Sequence, residues 1–323
     1  MTRLAIVAVV CGWLTITLSA QDRRFPMPME PMGNANEAIF PAYEGWGVSQ
    51  DGDSYYIVLG YRNRNRTQTI EIPIGPNNRI EPGGPDYGQP SVFEPGRQTT
   101  VFAIKVPKDF GEKKLTWTLV ANGQPAVVTF YLNPAYNMSF YREDANGNEA
   151  PKMTLRLGDQ MMSGPSAGVA QTLTGRVGQP VPLTVWASDA LPTEKNWEQV
   201  IKTRARRAPV VDRSQIAVVD GRVIGAADGV GGRAPSSDVA PPDFTVVWRK
   251  VRGPGEVTVT PASVPLSTGG DGHKVVEANA AATFSAPGEY LLRVEPVEAD
   301  DGFDGLCCFT FANVKVIVKE QEQ

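Results

Sequence analysis

Residues 114–132 read KLTWTLVANGQPAVVTFYL, and how this stretch is read decides the fold class. Leu115, Trp117 and Leu119 alternate with Thr116 and Thr118, and a period of two places the apolar set on one face of an extended chain and the threonines on the other. Between this run and Ala126–Leu132 stands Asn122-Gly123, a dipeptide that accepts the positive φ a two-residue hairpin turn needs at both central positions. The stretch therefore predicts a hairpin in a sheet covered on one side. Upstream, Asp53–Tyr61 (DSYYIVLGY), Thr69–Ile74 (TIEIPI) and Thr99–Val106 (TTVFAIKV) alternate or are rich in β-branched and aromatic residues. At least five short strands within about 80 residues predict a small β-sandwich rather than a sheet with crossover helices.

The second half carries the same pattern. Gly175–Asp189 (GRVGQPVPLTVWASD), Asp243–Val251 (DFTVVWRKV), Ala281–Val294 (AATFSAPGEYLLRV) and Asn313–Lys319 (NVKVIVK) each alternate apolar with polar residues, and a Pro-Gly turn leads into Tyr290, Leu292 and Val294 on one face. TFSAPGEYLLRV, following WRKVRGPGEVTV, resembles the immunoglobulin-like sandwiches of the PKD and cadherin-like type found in exported bacterial proteins. The resemblance covers roughly residues 173–320. It implies that Tyr290 is a corner tyrosine bonding back to the preceding crossover, and that Trp248 is the core tryptophan of the third strand. Val185 and Leu292 stand near where antibody domains place bridging cysteines, so packing alone is expected to hold these sheets together. In the first half, IGPNNRIEPGGPDYGQPSVFEPGR and VPKDFGEKKLTWTLVANGQ resemble a group of exported proteins of environmental bacteria. That likeness, over about residues 40–132, implies export and a β fold without supplying a catalytic residue.

The expected organisation is all-β, with two immunoglobulin-like β-sandwich domains in tandem. Residues 1–20 (MTRLAIVAVVCGWLTITLSA) read as a signal peptide, with a basic start, an apolar core and small residues at Ser19 and Ala20. An anchor is the competing reading, but Gly12, Thr15, Thr17 and Ser19 break the segment, and no membrane span is expected after cleavage. Then come an extension at 21–36, the first sandwich at 37–157, a small and polar linker at 158–172, and a second sandwich at 173–320 with an insertion at 191–242. Within the insertion, TEKNWEQVIKTRARR at Thr193–Arg207 predicts one short helix, and AADGVGGRAPSSDVAPP has the composition of a loop.

Chemistry is sparse. The chain of 323 residues has a formal charge of −4, so nucleic acid is not an expected partner. One histidine, His273, leaves no room for a histidine cluster and little for a hydrolytic triad. Two carboxylates suffice for glycoside hydrolysis, but none here are set apart by spacing. Asp144–Glu149 (DANGNE) places oxygen side chains at alternate positions, yet glutamate stands where a calcium-loop turn needs glycine, and a plain hairpin turn is expected. Gly75–Arg97, rich in glycine and proline, carries Asn77, Asn78, Arg79, Glu81, Asp86, Tyr87 and Arg97. These can meet a sugar or protein surface, or the loop can be an ordered cover over a sheet edge. Asp300, Asp301 and Asp304 offer a hard-oxygen site for calcium or are solvated acids; no other cofactor is expected. Cys307 and Cys308 can form a vicinal disulfide, remain two buried thiols, or bond between chains. Phe309 and Phe311 share one parity while Val314, Val316 and Val318 have the other, which predicts a β-bulge near Ala312-Asn313.

These features imply a secreted or periplasmic, non-catalytic binding, adhesion or assembly module with an unknown protein or glycan ligand at the cell surface. The alternatives are a carbohydrate-binding accessory module and a carboxylate-dependent hydrolase. Trp117, Trp248 and Tyr290 are the expected structural residues.

Overall fold

The computed structural model describes residues 33–142, 149–189, 217–219, 222–224, 244–268, 273–298 and 308–320. The described residues are all-β, in two sandwiches. The first is built from β1 (Ile39–Val48), β2 (Ser54–Asn63), β3 (Ile70–Glu71), β4 (Asn78–Glu81), β5 (Val92–Phe93), β6 (Gly96–Pro107), β7 (Leu115–Ala121) and β8 (Gln124–Phe130). One sheet has the order β1-β2-β6, the other β4-β7-β8, and β3 pairs with β5. The β7–β8 hairpin closes through Asn122 and Gly123 at φ of 50° and 75°, the left-handed pair that sequence demands. Ile57, Leu59 and Tyr61 of one sheet meet Trp117 and Leu119 of the other in a single apolar core. Trp117 is sealed there, edge-on to Phe102 at 5.1 Å between centroids.

The second sandwich comprises β9 (Lys152–Thr154), β10 (Gln171–Arg176), β11 (Val181–Ser188), β14 (Phe244–Arg252), β15 (Val257–Thr260), β16 (Ser263–Leu266), β17 (Val276–Phe284), β18 (Gly288–Glu298) and β19 (Ala312–Lys319). A separate ribbon, β12 (Ala217–Val219) with β13 (Arg222–Ile224), lies within the insertion. The sheets run β10-β19-β18-β14-β16 and β15-β17-β11-β9. The leading strand is thus split between them, β9 antiparallel to β11 in one sheet and β10 parallel to β19 in the other. Likewise β15 and β16 are halves of one run that pairs first with β17 and then, beyond Pro261, with β14. Trp248 is buried on β14 between the sheets. Tyr290 donates its hydroxyl to the carbonyls of Ala286 (2.8 Å) and Pro254 (3.2 Å), the tyrosine corner implied for it.

Several expectations meet a different structure. The helix at 193–207 falls outside the described residues; among those described, helix is limited to 3-10 turns at Lys108–Phe110 and Pro134–Tyr136. β9 lies inside the span assigned to the first sandwich but pairs with the second. The linker at 158–172 is laced to that same sandwich: Met162 exchanges backbone bonds with Met153, and the Ala170 N–H donates to Asn313. Its small polar residues hid this because its main chain makes the bonds. The bulge expected near Ala312-Asn313 is not there. The β18–β19 ladder runs without a shift from Gly288↔Val318 to Val294↔Ala312. The change of phase marks instead where the strand begins, because Phe309 and Phe311 precede it and enter a different core.

Candidate functional site

That core lies between the sandwiches. β2 and β6 bury Ile57 and Ile104 inward, so their alternate residues Val58 and Ala103 face out, yet both are buried, under Phe140 and Phe311. Beside it runs a charged joint. Arg293 of β18 stands opposite Arg249 of β14 across the ladder. One carboxylate serves both: Arg293 Nε lies 2.9 Å from Glu295 Oε2, and Arg249 Nε lies 3.4 Å from Oε1. The Arg293 guanidinium also stacks 3.9 Å over Phe311 and donates to the backbone carbonyl of Thr100 in the first sandwich. Thr100 offers that carbonyl because β6 is bulged there, with φ of 49° and a register shift against β2.

Burial presses the Arg293 guanidinium down, and Glu295 holds it part of the way up. For Glu295 burial alone pushes upward, but the two arginines outweigh it and leave the carboxyl below its ordinary range. Further along the seam Arg249 reaches Gln98 (2.9 Å), the Ser91 N–H donates to the Val251 carbonyl (3.1 Å), and Arg252 forks onto Asp86 (2.8 and 2.9 Å). The Arg252 hydrogen bond is the chief cause holding the Asp86 carboxyl low.

The loop residues marked in the sequence are engaged within the protein. Asn78 is fully buried; its amide donates to the Ile72 and Pro90 carbonyls and accepts from Trp117 Nε1 at 3.0 Å. Asn77 takes the Val120 N–H on its carbonyl. Arg79 bonds Glu81 and the Pro76 carbonyl, the Tyr87 hydroxyl donates to Pro82, and Arg97 Nη2 reaches both carboxylate oxygens of Glu44. Asp86 is the strut to the second sandwich. Asp300, Asp301, Asp304 and Cys307 lie outside the described residues. Cys308 is buried and disulfide-bonded, at φ of 63°. His273 is exposed on the connection between β16 and β17.

Two adjoining cavities lie at one end of the seam, and sequence reasoning did not point to them. They measure about 570 and 460 Å³ and share Ser49, Gln50, Tyr141 and Ser163 as walls. Such volumes and a position between domains are those of ligand sites. The first sandwich contributes the β1–β2 turn, and the second contributes Lys152 and the stretch 160–166. That stretch is fixed by the Gly164 N–H donating to Thr310 Oγ1, which itself bonds the Pro151 carbonyl. Gly164 has φ of 80°, and a Cβ there would stand 2.3 Å from the Tyr141 ring, so only glycine lets the ring close on the backbone. Burial pushes the Tyr141 phenol up to about 12, with Tyr56 adding to it and a Gln50 backbone bond opposing, so it stays a neutral hydroxyl. Arg142, Lys152 and Glu149 line the first cavity and Asp51 the second, two charges of each sign over the pair; Lys152 lies 3.9 Å from Glu149, and Asp51 lies 3.7 Å from Lys105 outside the walls.

Split leading strand, buried third-strand tryptophan and tyrosine corner mark the second sandwich as immunoglobulin-like, and with the two packed sheets of the first the described residues form two such sandwiches in tandem. Against known proteins, no family model and no curated protein matches the chain. Among solved structures the D00-D0 domain of intimin aligns with 87% of this chain and 100% of its own, at 10% identity and a TM-score of 0.24. The titin Ig tandem domains A164–A165 align with 88% of this chain and 100% of theirs, at 9% identity and a TM-score of 0.18. Likenesses this slight carry no weight, and the fold class rests on the topology. Among the described residues no helix is long and apolar enough to cross a membrane.

Proposed function

We propose that this is an exported, non-catalytic binding module that works at the cell envelope or outside the cell, with its two sandwiches joined as one body. The supporting observation is the pairing of a clamped seam with an open cleft at its end. A joint of buried ions, aromatic rings and backbone bonds fixes the walls of the cleft relative to one another, and a fixed cleft binds without losing interdomain freedom. The single histidine stands apart from this cleft, on an exposed turn. The leader-like residues 1–20 support export. The test is sedimentation of the purified protein with isolated cell envelopes of its own host. Saturable retention with no turnover of envelope material is expected. Absence of retention, or a hydrolytic activity lost on a single Asp or Glu substitution, overturns the reading.

A further inference from the structure

The geometry points to a binding site for an uncharged saccharide chain in the paired cavities, with the chain crossing Tyr141 and one unit or more seated on either side. This rests on the reading of the protein as a binding module and names its ligand class. Three features of the walls select that chemistry.

The first is charge. Arg142, Lys152 and Glu149 on one cavity and Asp51 on the other sum to zero only across the pair, so a polymer of a single charge spanning both gains little from entering. The second is the kind of hydrogen-bonding group. Ser139, Ser163, Ser166, Gln50, Gln160 and Asn137 supply hydroxyls and amides, each both donor and acceptor, as sugar hydroxyls are. Tyr141 lines both cavities, and its phenol remains protonated, a further neutral donor and acceptor beside the amides and hydroxyls.

The third feature weighs against a peptide. Pairing with a strand edge is one of the chief ways an extended peptide is read. Here the strand edges beside the cavities are occupied: the Met138 N–H already donates to Trp46 of β1 (2.9 Å), and Met153 of β9 already exchanges bonds with Met162. Two cavities sharing Tyr141 as a wall fit a linear chain better than a single compact metabolite.

The test is calorimetric titration of the full chain with neutral gluco-, manno- and xylo-oligosaccharides of increasing length. At least one series is expected to bind, tightening at least tenfold from dimer to tetramer as the second cavity fills. Affinity should be unchanged between about 50 and 500 mM salt, because no charge pairing is involved. Ser163→Trp, which obstructs both cavities, should abolish binding. Tyr141→Ala should weaken it at least tenfold and Tyr141→Phe only a few-fold. Gln160→Ala, on an exposed residue away from both cores, should weaken it several-fold and serves if the tyrosine variants fold poorly. No binding by any neutral series, binding indifferent to Ser163→Trp and Gln160→Ala, or binding only of charged polymers or peptides overturns the assignment. Envelope retention that survives Ser163→Trp sinks the saccharide site alone and leaves the binding module standing; loss of all retention by the unaltered protein sinks both.

Discussion

Asn78 shows how a residue's role depends on neighbours that sequence does not display. Read locally, an amide in a glycine- and proline-rich loop is a candidate for outside contact. In the fold that amide holds two carbonyls and the Trp117 indole inside the first core. Asn78→Ala leaves three buried groups without partners, each costing about 1–3 kcal/mol. Chemical denaturation should show a loss of about 3 kcal/mol or more; under about 1 kcal/mol would mean that water reaches the site. Trp248 and Trp117 were legible because alternation alone assigns them to the inward face. Trp248→Ala, at a site 2% exposed, should cost about 3–5 kcal/mol by the same measurement. Cys308 sits between these extremes. Its neighbour Cys307 makes a two-residue ring the simplest pairing, and reduction should then raise the intact mass by about 2 Da, whereas a halved mass would mean a bond between chains.

At the scale of elements, strands with clean alternation were legible: β2, β6, β7, β8, β11, β14, β18 and β19 all lie on runs marked in the sequence. β1 was not, because Pro41, Gly45 and Gly47 interrupt its pattern and a bulge at Glu44 shifts its register. β4, β9, β15 and β16 are too short for periodicity to show. The β6 bulge at Thr100 leaves no local mark either, since its purpose is a carbonyl presented to another domain. The tyrosine corner was legible because turn and tyrosine are close in sequence. Tyr290→Phe keeps the ring on Phe284, 4.6 Å between centroids, and removes only the two hydroxyl bonds. A loss of about 1–2 kcal/mol is expected in denaturation. A neutral result would show the corner to be dispensable to this sandwich.

The relation between the two sandwiches could not be read from sequence at all. Arg249, Arg293 and Glu295 look like the solvated face of alternating strands, and nothing local says that a second domain covers them. Covered, they form a two-to-one cluster in which Arg293 is buried and Glu295 and Arg249 are part-buried: Arg293→Ala strips Glu295 of its nearest cation and should cost up to about 3 kcal/mol. Acid acts on the same joint. Both Glu295 and Asp86 have carboxyls held below their ordinary values, so their contribution is fully present above the unfolded value near pH 4 and is lost as pH falls through the lower folded values. Asp86 ties one sandwich to the other through Arg252, and Glu295 holds in place the Arg293 that reaches Thr100 across the seam, so acid should uncouple the domains before it unfolds either. Calorimetry should give one cooperative transition at neutral pH and two below about pH 3, with the radius of gyration growing as the seam opens. Arg293→Ala should show the two transitions already at neutral pH. A single transition in all three cases would mean that the apolar contact of Val58 and Ala103 with Phe140 and Phe311 couples the domains by itself, and that the ions merely fill the space beside it.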